Sequence, residues 1–201
     1  MPAARRTLLR RYALGALVAL AATGAAVALL WTTLPDPAPL ARTNPRTTAL
    51  IEQRRGEARA RGRTLRVRQS WVGLDRISKR MLDAVILSED ANFFGHDGID
   101  WDAVRLAAEH DLKKRRFARG ASTITQQLAK NLWLGTEKSL ARKAKEAVLA
   151  AKLERALSKR RILALYLNVA EFGDGVFGVE AGARARFGTS ATSLTTAQAA
   201  V

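Results

Sequence analysis

Residues 140–157 read LARKAKEAVLAAKLERAL, and they decide the fold class because their apolar side chains recur at helical spacing. At about 100° per residue, Leu149 and Leu153 fall on the same face as Glu146, while most basic side chains, Lys159 among them, gather on the other side. Ser158 suits the N-cap of a further helix that begins at Lys159. A carboxylate on an apolar face has two explanations that the sequence leaves open. It forms a structural ion pair with Arg142, one turn earlier, or it is an acid or base tuned by burial.

A second carboxylate, Glu89, is predicted on the apolar stripe of another helix. Ser78 suits the N-cap of this helix, and Met81 and Val85 follow at helical spacing, so we expect Glu89 at the inner end of a core helix. Paired carboxylates on a helical scaffold suit glycosyl transfer or hydrolysis, in which one group takes a proton from the nucleophile. Two such glutamates favour an active site that contains Glu89 and Glu146.

The segment that begins at Glu89, EDANFFGHDG, is dense in carboxylates and ends in a glycine turn. His96 by itself is more typical of a structural hydrogen-bonding residue than of a catalyst. Asp90 and Asp97 suit either a divalent cation, such as Mg²⁺ or Mn²⁺, or the capping of backbone amides. The sequence therefore requires no cofactor and leaves a metal requirement open.

Residues 120–131, GASTITQQLAKN, predict a hydroxyl-rich helix start followed by polar side chains. Thr123 and Gln126 have the spacing of a capping box. Two pairs of polar residues four positions apart follow: Gln126 with Lys130, and Gln127 with Asn131. Because such pairs share a helix face, they are suitable donors for sugar hydroxyls or phosphate oxygens.

The composition is that of a basic globular chain of 201 residues, in which 34 Lys and Arg against 18 Asp and Glu give a net charge of +16. Cysteine is absent, which excludes disulfides, thiolate catalysis and cysteine-ligated metal sites, and two histidines cannot form a metal site alone. Residues 42–68 carry nine arginines against two glutamates. This excess favours a polyanionic partner: nucleic acid, anionic lipid or a phosphate-bearing substrate.

Residues 12–31, YALGALVALAATGAAVALLW, contain no charge and would reach about 30 Å as a helix, the thickness of one bilayer core. We predict an uncleaved membrane anchor, with a cleaved secretory signal as the alternative. Four arginines before the span favour a cytoplasmic N-terminus. Either explanation sends the rest of the chain across a membrane, which argues against a nucleic-acid partner.

The order of these segments predicts the domain organisation: a cytoplasmic basic tail at 1–11, a transmembrane helix at 12–31, a linker and polar helix at 32–64, and a folded domain at 65–201. All five prolines lie at or before Pro45, so the domain is expected to be mostly helical. The alternation of apolar residues at 64–72 predicts a short strand. An apolar helical pattern continues to the last residue, and the sequence leaves open whether the domain is complete at its carboxyl end.

Residues 173–178, GDGVFG, match a dinucleotide-binding pattern. That pattern indicates a Rossmann site only after a strand, whereas here it follows the helical run ILALYLN. A dinucleotide site is therefore not expected.

Five motifs in order are similar to those of the peptidoglycan glycosyltransferases, the family that includes the transglycosylase module of class A penicillin-binding proteins. They are Glu89-Asp90-x-x-Phe93-x-x-His96-x-Gly98, Gly120-x-Ser122-Thr123-Ile124-Thr125-Gln126-Gln127-Leu128-x-Lys130-Asn131, Arg142-Lys143-x-x-Glu146, Ile162-Leu163-x-x-Tyr166-Leu167-Asn168 and the glycine-rich 173–188. Residues 168–181, NVAEFGDGVFGVEA, further resemble the monofunctional, single-pass members of this family.

The resemblance implies a mostly α, lysozyme-like glycosyltransferase domain behind a single N-terminal transmembrane helix, facing the outside of the bacterial cytoplasmic (inner) membrane. It implies polymerisation of lipid II onto a lipid-linked nascent glycan, with inversion at MurNAc C1 and release of undecaprenyl diphosphate. Glu89 would be the general base and Glu146 an assisting residue. The implied substrate-binding residues are Asp90, Phe93, His96, Gly120, Ser122, Thr123, Gln126, Gln127, Lys130, Asn131, Arg142 and Lys143. Cell-wall synthesis or division proteins are the implied protein partners.

Two alternatives stay open, and the second rests on a departure from the family pattern and on the early carboxyl end. Arg186-Phe187-Gly188-Thr189 stands where the family has aromatic-Phe-Gly-Lys, so a family lysine is missing. The first alternative is a lytic muramidase, because an inward glutamate on a lysozyme-like fold also suits cleavage. The second is an inactive, membrane-tethered scaffold that binds lipid II without turnover.

Overall fold

The computed structural model describes residues 3–114 and 122–200, with side chains at 10–110 and 122–200. The chain divides into two units, Met1–Leu34 and Pro35–Val201.

The first unit is a single helix, α1, at Ala3–Thr33. Its segment Arg10–Thr33 has a mean hydropathy of 2.2 and is long and apolar enough to cross a membrane. The hydroxyls of Thr23 and Thr33 donate to backbone carbonyls one turn earlier, at 2.8 and 2.7 Å, so they are satisfied within the helix. Such internal bonding is what a polar side chain needs in hydrocarbon. The structure thus contains the apolar N-terminal helix that the sequence predicts.

The second unit is mostly helical, as predicted. Its helices are α2 at Ala49–Ala60, α3 at Lys79–Glu89, α4 at Trp101–Lys114, α5 at Ile124–Ala129, α6 at Leu140–Ala156, α7 at Lys159–Val169, α8 at Val179–Phe187 and α9 at Thr196–Ala199. Short 3₁₀ turns lie at Ala38–Ala41, Leu74–Arg76, Phe93–Gly95 and Ala191–Ser193, and a π-helical turn lies at Lys130–Leu134.

Helices α5, α6 and α7 pack against one another and form the centre of the core. Leu128, Leu149, Leu153 and Leu165 are completely buried there, which confirms that the stretch at 140–157 is a core helix. Because these helices hold the candidate site on their ends and flanks, their packing determines its geometry.

Helix starts follow the predicted capping chemistry. Ser78 accepts a hydrogen bond from the Met81 backbone N–H, and Ser158 accepts one from Arg161. Each cap satisfies an N–H that has no partner inside the helix. The hydroxyl residues therefore set where these helices begin.

A three-stranded sheet has the order β1-β3-β2, with β1 at Arg68–Gln69, β2 at Glu171–Gly173 and β3 at Val176–Phe177. Strand β1 pairs parallel to β3, and β2 pairs antiparallel to it. The predicted strand at 64–72 is thus reduced to two residues, since only these find a strand partner.

The GDGVFG segment covers the end of β2, the turn and β3, and it leads into α8. Gly178 has φ +84°, and a Cβ atom there would lie 2.8 Å from the Asn168 carbonyl oxygen. This glycine is needed for close backbone packing.

Candidate active site

Glu89 is the last residue of α3, and its side chain is exposed to solvent. The expectation of an inward position is wrong, because α3 buries Met81 and Val85 but ends at Glu89, and the next residue, Asp90, turns into the interior. Glu89 Oε2 accepts a hydrogen bond of 2.8 Å from the Gln127 side-chain amide on α5. With one oxygen held, the carboxylate can present the other to a substrate hydroxyl.

Gln127 is oriented by Tyr166 on α7. The Tyr166 hydroxyl donates to Gln127 Oε1 at 3.1 Å, so the amide nitrogen faces Glu89. Burial raises the pKa of Tyr166, and the charge of Glu89 raises it further. The phenol therefore stays protonated and remains a donor, which fixes the amide of Gln127.

Glu146 lies in the middle of α6 and is only 3% exposed, which confirms its predicted inward position. Arg142 Nη1 donates to Glu146 Oε2 and Lys143 Nζ donates to Oε1, so each oxygen is paired with a cation. Lys143 Nζ also donates to Ser122 Oγ at 3.1 Å, just before α5. The predicted ion pair with Arg142 is present. In this arrangement Glu146 orients two cations and is not placed to accept a substrate proton.

Helix α5 connects the two glutamates. Glu89 is hydrogen-bonded to Gln127, which lies in α5. Glu146 is bonded to Lys143, and Lys143 is bonded to Ser122, two residues before α5 begins. The structure therefore brings both carboxylates to the same short helix, although they are 57 positions apart in the sequence.

Asp90 and His96 tie the end of α3 to the start of α5. Asp90 Oδ2 accepts from the Ile124 backbone N–H at 3.0 Å, and Asp90 Oδ1 lies 3.0 Å from His96 Nε2. The Gly98 backbone N–H donates to His96 Nδ1 at 3.1 Å, so Nδ1 carries no proton. His96 is therefore the Nε2-protonated tautomer and donates to Asp90. Both side chains position Glu89 and α5 relative to each other.

A metal ion does not fit the carboxylate cluster beside His96. Ligand-type atoms of Asp90, His96 and Asp100 lie within 4.8 Å of one another. However, both ring nitrogens of His96 are bonded, and Asp100 accepts from the Ala103 backbone N–H at 2.8 Å and from Asn92 Nδ2 at 3.3 Å. The Ala103 bond above all holds the pKa of Asp100 below its usual value. The side chains of this cluster are thus occupied by hydrogen bonds within the protein, and Asp90 caps the Ile124 backbone amide.

Two other residues proposed for substrate binding support the fold. Phe93 is fully buried, with its ring 5.0 Å from that of Phe94 and the Lys159 Nζ 4.6 Å above it. Gln126 is buried and forms the predicted capping box with Thr123. Since the Gln126 carboxamide accepts from the Thr123 backbone N–H at 3.2 Å, its oxygen is used by the helix start.

The π-helical turn begins at Lys130, which is half-buried, and includes the buried Asn131. Such turns occur frequently at functional sites. Gly120, another predicted binding residue, lies outside the described residues. Among the predicted residues, Glu89 and Ser122 are exposed, and Gln127, Lys130, Arg142 and Lys143 are half-buried.

A buried network next to the site was not predicted. Lys159 Nζ donates to Glu154 Oε1 at 2.8 Å and to the His96 carbonyl oxygen, and Thr125 Oγ1 donates to the same Glu154 oxygen. The expectation that Lys159 lies on the basic face of α6 is wrong, because α6 ends at Ala156 and a new helix begins after it. Ser158, the predicted N-cap of α7, separates the two helices.

A protein-family model described as Transglycosylase matches residues 57–201. This chain belongs to that family. The Biosynthetic peptidoglycan transglycosylase of Bordetella pertussis is 48% identical over 161 residues, which cover 78% of this chain and 66% of that protein. The protein of the same name from Aromatoleum aromaticum is 47% identical over 157 residues, which cover 78% of this chain and 68% of that protein. The one from Methylobacillus flagellatus is 52% identical over 134 residues, which cover 67% of this chain and 58% of that protein.

Membership of the transglycosylase family confirms the resemblance drawn from the five motifs, and the helical architecture confirms the predicted fold class. The chain spans about two thirds of the length of the curated relatives it matches. Its departure from the family pattern lies at the end of α8, where the Arg186 guanidinium lies 5.9 Å from the centroid of the Phe187 ring.

Proposed function

We propose that this chain polymerises lipid II into β-1,4-linked glycan strands, with Glu89 as the general base. The observation that carries the proposal is the exposed Glu89 carboxylate, which accepts a 2.8 Å hydrogen bond from Gln127 on α5. Ser122, just before the start of the same helix, is bonded to Lys143. The names of the relatives, biosynthetic peptidoglycan transglycosylase, support the same reaction.

In the proposed step, Glu89 takes the proton of the acceptor 4-hydroxyl while that oxygen attacks C1 of the donor MurNAc. The new C1–O bond forms on the face opposite the leaving group, so the anomeric configuration inverts. The bond between C1 and the diphosphate oxygen breaks, and its electron pair leaves with undecaprenyl diphosphate. An exposed carboxylate with one oxygen held suits this role, because it needs a fixed direction and access to the acceptor.

The cations near α5 suit the leaving group. Diphosphate gains negative charge as the bond to C1 breaks, and fixed cations stabilise that charge most in the transition state. Lys143 is 44% exposed at its side chain and is aimed by Glu146 and Ser122, whereas Arg142 is more enclosed at 18%. We assign to Glu146 the positioning of these cations, and to Lys130 a further contact with phosphate.

The candidate membrane helix suits a lipid-linked substrate. If α1 anchors the chain in the bacterial inner membrane with a cytoplasmic N-terminus, the enzyme and lipid II diffuse in one plane, which raises their effective concentration. The domain from residue 65 would then work outside that membrane, beside cell-wall synthesis or division proteins. Orientation is testable by protease protection in sealed spheroplasts: loss of the domain to added protease supports it, and full protection contradicts it.

Two substrates separate the proposed activity from its alternatives. The full chain, purified in an uncharged detergent, is given lipid II, and the products are sized by gel electrophoresis before and after digestion with a β-1,4-specific muramidase. Digestible polymer is the expected result. Soluble muropeptides released from sacculi without polymer would instead identify a lytic enzyme, and lipid II binding without either product would identify a scaffold.

A further inference from the structure

A basic cavity of about 370 Å³ lies between the end of α2 and the start of β1. Five arginines and two carboxylates are among its lining residues: Arg54, Arg61, Arg63, Arg66, Arg68, Glu57 and Asp174. We call it the arginine cavity. It contains none of the residues assigned to the candidate active site, and it accounts for much of the arginine excess at 42–68.

The end of α2 holds two of these arginines in place. The backbone N–H groups of Arg61 and Arg63 both donate to the Ala58 carbonyl oxygen, at 3.0 and 2.9 Å, and close the helix with a tight turn. Cations are favoured at this end of a helix because its free carbonyls carry partial negative charge. The turn therefore fixes the backbone at two of the cationic positions.

The alternation of side chains in the extended segment before and in β1 places two more arginines, Arg66 and Arg68, at the cavity. Val67 packs against the buried cluster of Leu50, Ile51 and Phe177. The Arg68 backbone N–H donates to the Gly175 carbonyl oxygen at 2.8 Å. Since neighbouring side chains in an extended chain point to opposite faces, Arg66 and Arg68 lie on the face away from the core, and both are exposed. The same register that buries Val67 thus directs two guanidinium groups to the cavity.

The five arginines of the cavity outnumber its two carboxylates, Glu57 and Asp174. Arg54 is paired with Glu57 at 2.9 Å and with Glu171 at 2.8 Å. The other four arginines of the cavity form no ion pair within 4.0 Å in the part of the chain that the structure describes. Convergent unpaired cations repel one another, so a bound anion would stabilise this arrangement.

We propose that the arginine cavity binds a phosphate group, carried by an anionic lipid headgroup or free in solution. Guanidinium groups bind phosphate oxygens bidentately, and the volume lies within the range of about 300–1,000 Å³ typical of small-ligand sites. The site is separate from the glycosyl-transfer chemistry, so it does not rest on the proposed function.

Calorimetric titration of the full chain in an uncharged detergent tests the proposal. The titrants are dihexanoyl phosphatidylglycerol, inorganic phosphate and the zwitterionic dihexanoyl phosphatidylcholine. The variant Arg66→Gln/Arg68→Gln removes two charges from the cavity, and Arg155→Gln/Arg160→Gln removes two from exposed positions elsewhere. Removal of two cavity charges should weaken binding about tenfold or more, and the control should leave it within about twofold of the parent.

The two anionic titrants distinguish a lipid headgroup from a soluble phosphate. Binding of phosphatidylglycerol alone, lost in the cavity variant, supports a lipid headgroup, and equal binding of inorganic phosphate supports a soluble ligand. Absence of binding by both anions would overturn the proposal, as would an equal loss of affinity in both variants. Thermal melting of the variants, with midpoints within a few degrees of the parent, shows that a loss of binding is not a loss of folding.

Discussion

Replacing Asp90 by asparagine tests the bridge between α3 and α5 with little change of side-chain shape. His96 Nε2 lies 3.0 Å from Asp90 Oδ1 and 3.1 Å from Oδ2, and Oδ2 also accepts from the Ile124 backbone N–H at 3.0 Å. Asparagine has one oxygen and one NH₂ group, so either orientation of the amide points a donor at a donor. If the His96 proton moves to Nδ1 to avoid this, Nδ1 then meets the Gly98 N–H that now donates to it.

Each arrangement leaves one buried donor unsatisfied, which costs about 1–3 kcal/mol, and the substitution also removes a charge-assisted bond. We therefore expect Asp90→Asn to lower the free energy of unfolding by about 2–3 kcal/mol. The measurement is urea denaturation of the full chain in uncharged detergent, followed by circular dichroism, with an unchanged m value. Asp83→Asn is the control, since its pair with Lys79 is exposed on the same helix. A loss below about 0.5 kcal/mol in Asp90→Asn would refute the donor argument.

Three further predictions concern the site and its support. Tyr166→Phe should slow polymerisation about 2–10-fold at little cost in lipid II binding, because Gln127 loses the donor that fixes its amide; kcat and KM measure this. Glu146→Gln should lower the free energy of unfolding by about 2–3 kcal/mol, measured with urea, because it leaves two cations without their buried partner, one of them partly exposed. The stabilising contribution of Asp100 should be complete above its ordinary pKa of 3.8 and be lost as pH falls through the lowered pKa of the folded state, so unfolding midpoints of Asp100→Asn and the parent should converge in acid; equal differences at pH 7 and pH 2 would contradict this.

Local chemistry made much of the fold predictable. Ser78 and Ser158 mark helix starts because a hydroxyl satisfies a free backbone N–H within three residues, and no distant part of the chain is needed. The inward position of Glu146 was predictable for a similar reason, since helical periodicity alone assigns its face.

Contacts between distant segments were not predictable in the same way. The exposed position of Glu89 depends on where α3 ends, and its partner Gln127 is oriented by Tyr166, which lies 39 residues further along the chain. Gln126 matched a family motif for substrate binding, yet its carboxamide oxygen is used by the capping box that its own spacing predicted. A polar residue in a motif can therefore serve the backbone, and only the three-dimensional contacts show which role is available.

The rate of lipid II polymerisation by Glu89→Gln tests the general base most directly. The variant keeps the side-chain size and a hydrogen-bonding oxygen but cannot take up the acceptor proton. Its initial rate should fall about 10²–10⁴-fold with lipid II binding and the melting midpoint unchanged, while Glu109→Gln, at an exposed position on α4, should match the parent. A Glu89→Gln protein that polymerises lipid II at the parent rate would contradict the role assigned to this carboxylate.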